Sequence, residues 1–147
     1  MKIAIINGAN LNLLGERDRG KYGTSTLLEI QAMLSNRYPD VDFDFYQSNI
    51  EGEIVGKIQS LRDEAYHIII NPGGYAHTSV VIRDALEIIT NCKIEVHLSH
   101  LVNREEYRQN LITASACNGY ISGFKELGYI AAVELIKELV NKGINND

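Results

Sequence analysis

Short apolar runs rich in β-branched residues alternate along this chain with longer stretches whose apolar residues recur at helical spacing, the pattern of a parallel sheet with crossover helices. Five such βα units follow one another. The first strand is predicted over residues 2–6. The helix after it opens near Thr26, where Thr26-Leu27-Leu28-Glu29 reads as a capping box, and it ends by Tyr38 because Pro39 follows. A second strand is predicted over 41–46. A helix over 51–65 places Ile54, Ile58 and Leu61 on one stripe, with Glu51 and Glu53 in its first turn where the dipole favours them. The third strand, 67–70, is nearly all apolar, as a centre strand covered on both faces requires. A helix over 78–89, strands over 93–98 and about 120–122, and a last helix over 127–140 complete the series. The tail, 142–147, has little to bury and is expected to fray. This order predicts an α/β fold: a flavodoxin-like, doubly wound open sheet of five parallel strands, with helices on both faces and right-handed crossovers.

Composition narrows the function classes. With 147 residues and 45% hydrophobic content the chain builds one sizeable core, so residues 1–147 are read as a single domain. The formal charge of -5, with acids and bases interspersed, leaves no basic stripe to draw nucleic acid or an anionic membrane. Cys92 and Cys117 have no paired spacing that suggests zinc or a redox couple, so reduced structural thiols and a cytoplasmic location are expected. Near the N-terminus one lysine precedes a short apolar run ending at Asn7 and Gly8, too short for a signal sequence or a membrane span, and no export is expected.

In open α/β sheets ligands bind outside the carboxyl ends of the strands, so the residues after each strand are the candidates for chemistry. They are Asn7, Asn10, Arg17 and Tyr22; Gln47, Ser48 and Asn49; Asn71, Gly73, Gly74 and His77; and Ser99, His100, Arg104 and Arg108. Taken singly each has a bland reading, turn formation for asparagine and glycine and a solvated charge for arginine. Independent segments deliver them to one sheet edge, which favours a site. The segment NGANLNLLGERDRGKYG, 7–23, says most, because a connection this long inside a compact domain is more often a lid or binding loop than a link. A tyrosine cannot act as a base at neutral pH without a cation beside it, and Arg17 can supply one for Tyr22. In the fourth strand Glu95 and His97 point to one face. The carboxylate can then fix the imidazole's tautomer and favour its protonated form, which suits a general acid; the alternative is a satisfied core histidine at a strand end. His77, in GGYAHTS before the third helix, either meets a ligand near backbone N–H groups or caps the helix, and both readings stand.

NGANLNLLGERDRGKYG, QSNIEGEI, INPGGYAHTSVVIRDAL, IEVHLS, REEYR and GYISGFKELGY resemble type II 3-dehydroquinate dehydratases in order and spacing over nearly the whole chain. The resemblance implies conversion of 3-dehydroquinate to 3-dehydroshikimate by anti elimination of water through an enolate, in the shikimate pathway of aromatic amino acid biosynthesis or in quinate breakdown. It implies Tyr22 as proton acceptor, His97 as proton donor with Glu95 behind it, Arg17 assisting the tyrosine, and Asn10 holding a water at the developing enolate. Asn71, His77, Arg108, Ser99 and the backbone of Leu98 would bind the substrate's hydroxyls and carboxylate, and Asp84 would reach a substrate pocket from an adjacent subunit. It also implies a homo-oligomer, a dodecamer built as a tetramer of trimers, with no metal and no cofactor. The chain departs from the pattern at Ala9, where proline is usual, at Asp18-Arg19 in place of Glu-Pro, at His100 in place of asparagine, and at Leu111, often serine. These changes bear on the lid and on one polar contact, since Arg17 and Tyr22 keep their spacing.

Other classes fit less well. A receiver-type signalling domain needs acids after the first strand and a phosphorylatable Asp after the third, where Asn7 and Asn71 stand. An FMN-binding electron carrier needs a Ser/Thr-rich phosphate loop, which Asn10-Leu11-Asn12-Leu13 does not supply. A lysine Schiff-base dehydroquinase needs a barrel of about 250 residues, and Lys125, the lysine near the proposed edge, reads as an exposed loop residue. A scaffold that keeps the assembly without turnover is separated from an enzyme only by assay.

Overall fold

The computed structural model describes residues 1–144. Five strands, β1 (Lys2–Asn7), β2 (Asp42–Gln47), β3 (Tyr66–Asn71), β4 (Lys93–His97) and β5 (Gly119–Ser122), form one sheet in the order β2-β1-β3-β4-β5. Every pairing is parallel, as the alternation of strands and helices predicts. The helices are α1 (Arg19–Tyr22), α2 (Leu27–Arg37), α3 (Glu51–Ser60), α4 (Val80–Glu87) and α5 (Leu127–Asn141).

Period-two alternation divides the core into two layers. Ile3 and Ile5 of β1, with Ile69, Ile94 and Val96, pack under Ile30 and Leu34 of α2 and Val133 and Ile136 of α5. Ala4, Ile6, Ile68 and Ile70 face the other way, against Ile54 and Ile58 of α3 and Ile82 and Leu86 of α4. Central β1 is therefore apolar on both faces, whereas β2 at the edge is only partly buried. β1 and β3 run in register from Lys2↔Tyr66 to Asn7↔Asn71. The chain leaves β1 toward one edge of the sheet and leaves β3 toward the other, which opens a crevice at their carboxyl ends.

The capping box forms as read: Thr26 Oγ1 accepts from Glu29 N–H (3.2 Å) and Glu29 Oε2 accepts from Thr26 N–H (3.1 Å). Two helix boundaries differ from expectation. α3 stops at Ser60 rather than continuing to Ala65, because Leu61 is the last apolar residue of its stripe and Arg62-Asp63-Glu64 have nothing to bury. α4 begins at Val80, since Ser79 and not Thr78 supplies the cap, its Oγ accepting from Ile82 N–H (3.1 Å). At the C-terminus Gly143 turns at φ 69° and Ile144 N–H bonds to Leu139 O (2.9 Å), closing α5. Of the tail expected to fray, residues 142–144 thus take part in this closure, and residues 145–147 lie outside the described residues.

Candidate active site

The two loops that leave the crevice touch backbone to backbone. A Cβ on Gly8 would stand 2.2 Å from Pro72 O, and Gly73, at φ 64°, would place one 2.9 Å from Ala9 O, so neither position tolerates a side chain. Asn10 follows in the left-handed region (φ 71°), its N–H held by Asn49 Oδ1 at 2.9 Å. Gln47 Nε2 donates to the same Oδ1 (3.1 Å) and to Gly8 O (3.2 Å), and Tyr75 Oη donates to Asn49 O (2.7 Å). Ser48 Oγ accepts from Ile50 N–H at the start of α3. The polar residues after β2 are therefore supports for the loop carrying Asn10 and for α3; they do not line the cavity.

α1 was not legible in the sequence, and it carries the tyrosine. Asp18 Oδ1 accepts from Gly20 N–H (3.0 Å) and Lys21 N–H (3.3 Å), so the Asp18-Arg19 departure caps a single helical turn that ends on Tyr22. Arg17 Nη2 donates to Tyr22 Oη (3.1 Å), with its guanidinium carbon 4.1 Å from the ring centroid. A second guanidinium, Arg104, lies 5.5 Å from the same centroid. Its side chain is only 8% exposed, Nη1 donates to Ser99 Oγ (2.9 Å), and Glu105 stands 3.4 Å from Nε. Glu105 also accepts from Arg108 Nε (2.8 Å). A hydrogen bond from its own backbone N–H, with help from Arg108 and Arg104, lowers the Glu105 pKa to about 2, so it remains an anionic clamp on both arginines.

β4 presents Lys93, Glu95 and His97, all buried, on the face opposite Ile94 and Val96. Glu95 Oε1 accepts from His97 Nε2 (2.7 Å), and Glu95 Oε2 accepts from Thr113 Oγ1 (2.6 Å). Both oxygens of the buried carboxylate are partnered, as burial of a charge requires. The carboxylate fixes the proton on Nε2 and leaves Nδ1 as the imidazole nitrogen for the cavity. The His77 ring stacks beside it, centroids 6.2 Å apart. His77 Nδ1 donates to Asn110 O (2.9 Å), and burial lowers its pKa against the opposing pull of that carbonyl. At neutral pH His77 is thus uncharged with Nε2 an acceptor. It caps no helix, because Ser79 does that.

Asn10, Arg17, Tyr22, Asn71, His77, His97, Leu98, Ser99 and Arg108 line one cavity, together with Arg104 and Gly73. It encloses about 540 Å³ including its solvent mouth. Phenol and imidazole share this space. Glu95 sits behind it, and Asp84 lies outside it, exposed on α4 and paired with Arg83 (3.5 Å). Lys125 lines a neighbouring cleft with His100 and Lys21, and Leu111 lines another with His100. Sequence reasoning named Arg104 without seeing its place beside Tyr22, and it missed Thr113 and the Asn110 carbonyl, supports that no local spacing signals. Among the described residues no group of three or more His, Cys, Asp or Glu is arranged to hold a metal, and no helix is long and apolar enough to cross a membrane.

A phenol flanked by guanidiniums shares one cavity with a carboxylate-backed imidazole at the switch point of an open parallel sheet, the place where α/β enzymes bind their ligands. The family model described as dehydroquinase class II matches residues 1–137. A 3-dehydroquinate dehydratase of Fusobacterium nucleatum is 44% identical over 97% of this chain and 100% of its own length. One from Campylobacter jejuni is 48% identical over 90% of this chain and 85% of its own. The crystal structure of a type II dehydroquinase from Butyrivibrio crossotus superposes with a TM-score of 0.88 at 41% identity, covering 93% of this chain and 97% of that one. The chain belongs to the class II dehydroquinase family, the type II 3-dehydroquinate dehydratases.

Proposed function

We propose that this cavity converts 3-dehydroquinate to 3-dehydroshikimate by anti elimination of water through an enolate. Tyr22, as phenolate, takes a proton from the carbon next to the ketone, and the electron pair moves onto the ketone oxygen. Asn10 holds a water at that oxygen. His97 then protonates the hydroxyl on the neighbouring carbon as its C–O bond breaks, the enolate electrons form the ring double bond, and water leaves. Asn71, His77, Ser99, Arg108 and the backbone of Leu98 hold the substrate's hydroxyls and carboxylate.

The observation that carries this reading is the 3.1 Å contact between Arg17 and the Tyr22 hydroxyl, in the same cavity as the His97–Glu95 pair. A free phenol is about a thousandth ionised at pH 7, a gap of roughly 4 kcal/mol. Arg17 places a cationic donor on the Tyr22 oxygen, where the charge of the phenolate would sit. The buried Glu95 carboxylate holds His97 Nε2 and leaves Nδ1 to deliver the proton of the second step. The test is direct: 3-dehydroquinate mixed with the protein, without added metal or nucleotide, gives a rise in ultraviolet absorbance from the conjugated enone. No rise at substrate saturation would reject the activity.

The same proposal includes a dodecamer, a tetramer of trimers, in which Asp84 approaches a neighbour's cavity. Support comes from α4, where Asp84 is exposed together with Val80 and Val81, and from exposed Ile88 at its end. Sedimentation as a monomer would reject it. A cytoplasmic location belongs to the proposal too, supported by two unpaired cysteines.

A further inference from the structure

One hydroxyl sits where the two central strands end. Tyr129 of α5 is fully buried in the core layer of α2 and α5. Its O–H donates to Asn7 Oδ1 at the end of β1, and its oxygen accepts from Asn71 Nδ2 at the end of β3 (3.4 Å). Asn7 and Asn71 are register partners. Asn71 Oδ1 in turn accepts from Gly73 N–H (3.1 Å). Buried amides left without partners are costly, so a helix packed on this face needs a polar atom at this position.

These bonds decide which way round the Asn71 amide stands. Its oxygen and nitrogen are alike in size, and orientation follows from what each can reach. Gly73 N–H is only a donor, so it takes Oδ1. The Tyr129 oxygen, its proton committed to Asn7, offers Asn71 only a lone pair and takes an N–H. The second N–H of Asn71 is left for the cavity that this residue lines.

We propose that Tyr129 is a positioning residue: it acts through Asn71, holding that amide as a hydrogen-bond donor toward a substrate oxygen, hydroxyl or carboxylate. Tyr129 itself touches no substrate. The inference rests on the dehydratase reading of the cavity. Without the hydroxyl the Gly73 N–H bond alone anchors the amide, whose plane is then free to rotate about that bond, so the second N–H loses its aim at the substrate oxygen.

The experiment is a kinetic cycle on the full chain, with Tyr129→Phe, Asn71→Ala and the double variant assayed by enone absorbance from 3-dehydroquinate. Tyr129→Phe is expected to raise KM about tenfold with kcat within about twofold. Added to Asn71→Ala it should raise KM no further, because the contact it positions is already gone. A merely structural tyrosine would lower Tm and the active fraction, hence apparent kcat, and leave KM alone; that result, or KM effects that multiply in full, would overturn the proposal. Should Tyr129→Phe fail to fold, Asn7→Ala releases the hydroxyl proton while keeping the ring packed, and the same criteria apply. A wild-type protein without turnover overturns the dehydratase reading and this inference together. An active wild type with independent effects overturns this inference alone.

Discussion

Arg17 meets Tyr22 in two ways at once, donating to the hydroxyl at 3.1 Å while its guanidinium carbon stands 4.1 Å from the ring centroid. The hydrogen bond sets a charged donor where negative charge on the oxygen would develop, and the cation meets the electron-rich face of the ring. Arg104, 5.5 Å from that centroid, adds a second cation that Glu105 and Ser99 hold in place. Arg17→Ala is expected to lower kcat by about a hundredfold or more, as loss of one preorganised charge-stabilising donor does, with Tm little changed. Tyr22→Phe should do the same or worse. Near-normal turnover by enone absorbance in either variant removes that residue from the scheme.

Glu95 serves His97 through charge as well as geometry. Glu95→Gln keeps the volume and one acceptor but removes the carboxylate charge held against the His97 ring, and kcat is expected to fall about a hundredfold, within the range ascribed to a general acid. Thr113→Val keeps the charge and strips one hydrogen bond from the buried carboxylate, at a cost of about 1–3 kcal/mol in stability. Denaturant unfolding alongside kinetics separates the two: the first variant should lose turnover chiefly, the second stability chiefly.

His67 lies far from the cavity and titrates into the fold's acid stability. Its Nδ1 accepts from Cys92 N–H (3.2 Å), which only the uncharged ring can do, and burial, then the nearby N-terminal ammonium, lowers its pKa below 6.5. The unfolded chain takes up the proton first. The stabilisation is therefore fully present above the unfolded pKa and is lost as pH falls from there through the lower folded value. His67→Gln, whose amide oxygen accepts without titrating, should flatten the decline of Tm between about pH 7 and pH 5. An unchanged slope assigns that decline to other groups.

Lys93 opens β4 with its amine buried, donating to the Ile89 carbonyl. Burial lowers its pKa, against weaker opposing fields from Cys117, Glu87 and Cys92. A well-packed apolar replacement of a buried charge is commonly neutral or stabilising, so Lys93→Met is expected to raise Tm by about 2–4 °C. A fall of that size in calorimetry would mean that the bond to Ile89 outweighs the cost of burying the amine.

Most of the architecture was legible in the chain. The apolar alternation of Ile3 to Ile6 marks a strand covered on two faces, Pro39 limits α2, and Thr26 with Glu29 announces its start; each is a local cause with a local effect. α1 escaped because a single turn has no periodicity, and its signal is one capping carboxylate, Asp18. Gln47 and Asn49 looked like site residues because position after a strand does not say whether a side chain points into a crevice or braces the loop beside it.

The sequence by itself determined the strands, the helices and the parallel α/β class, because these follow from short-range periodicity, caps and the alternation of elements. Only the tertiary structure decided which polar groups meet: Arg104 beside Tyr22, Thr113 and Glu95 behind His97, and a hydroxyl of α5 between Asn7 and Asn71. Those contacts join segments as many as 122 residues apart, and each exists because packing removes water and leaves every buried donor to find an acceptor that no local pattern specifies.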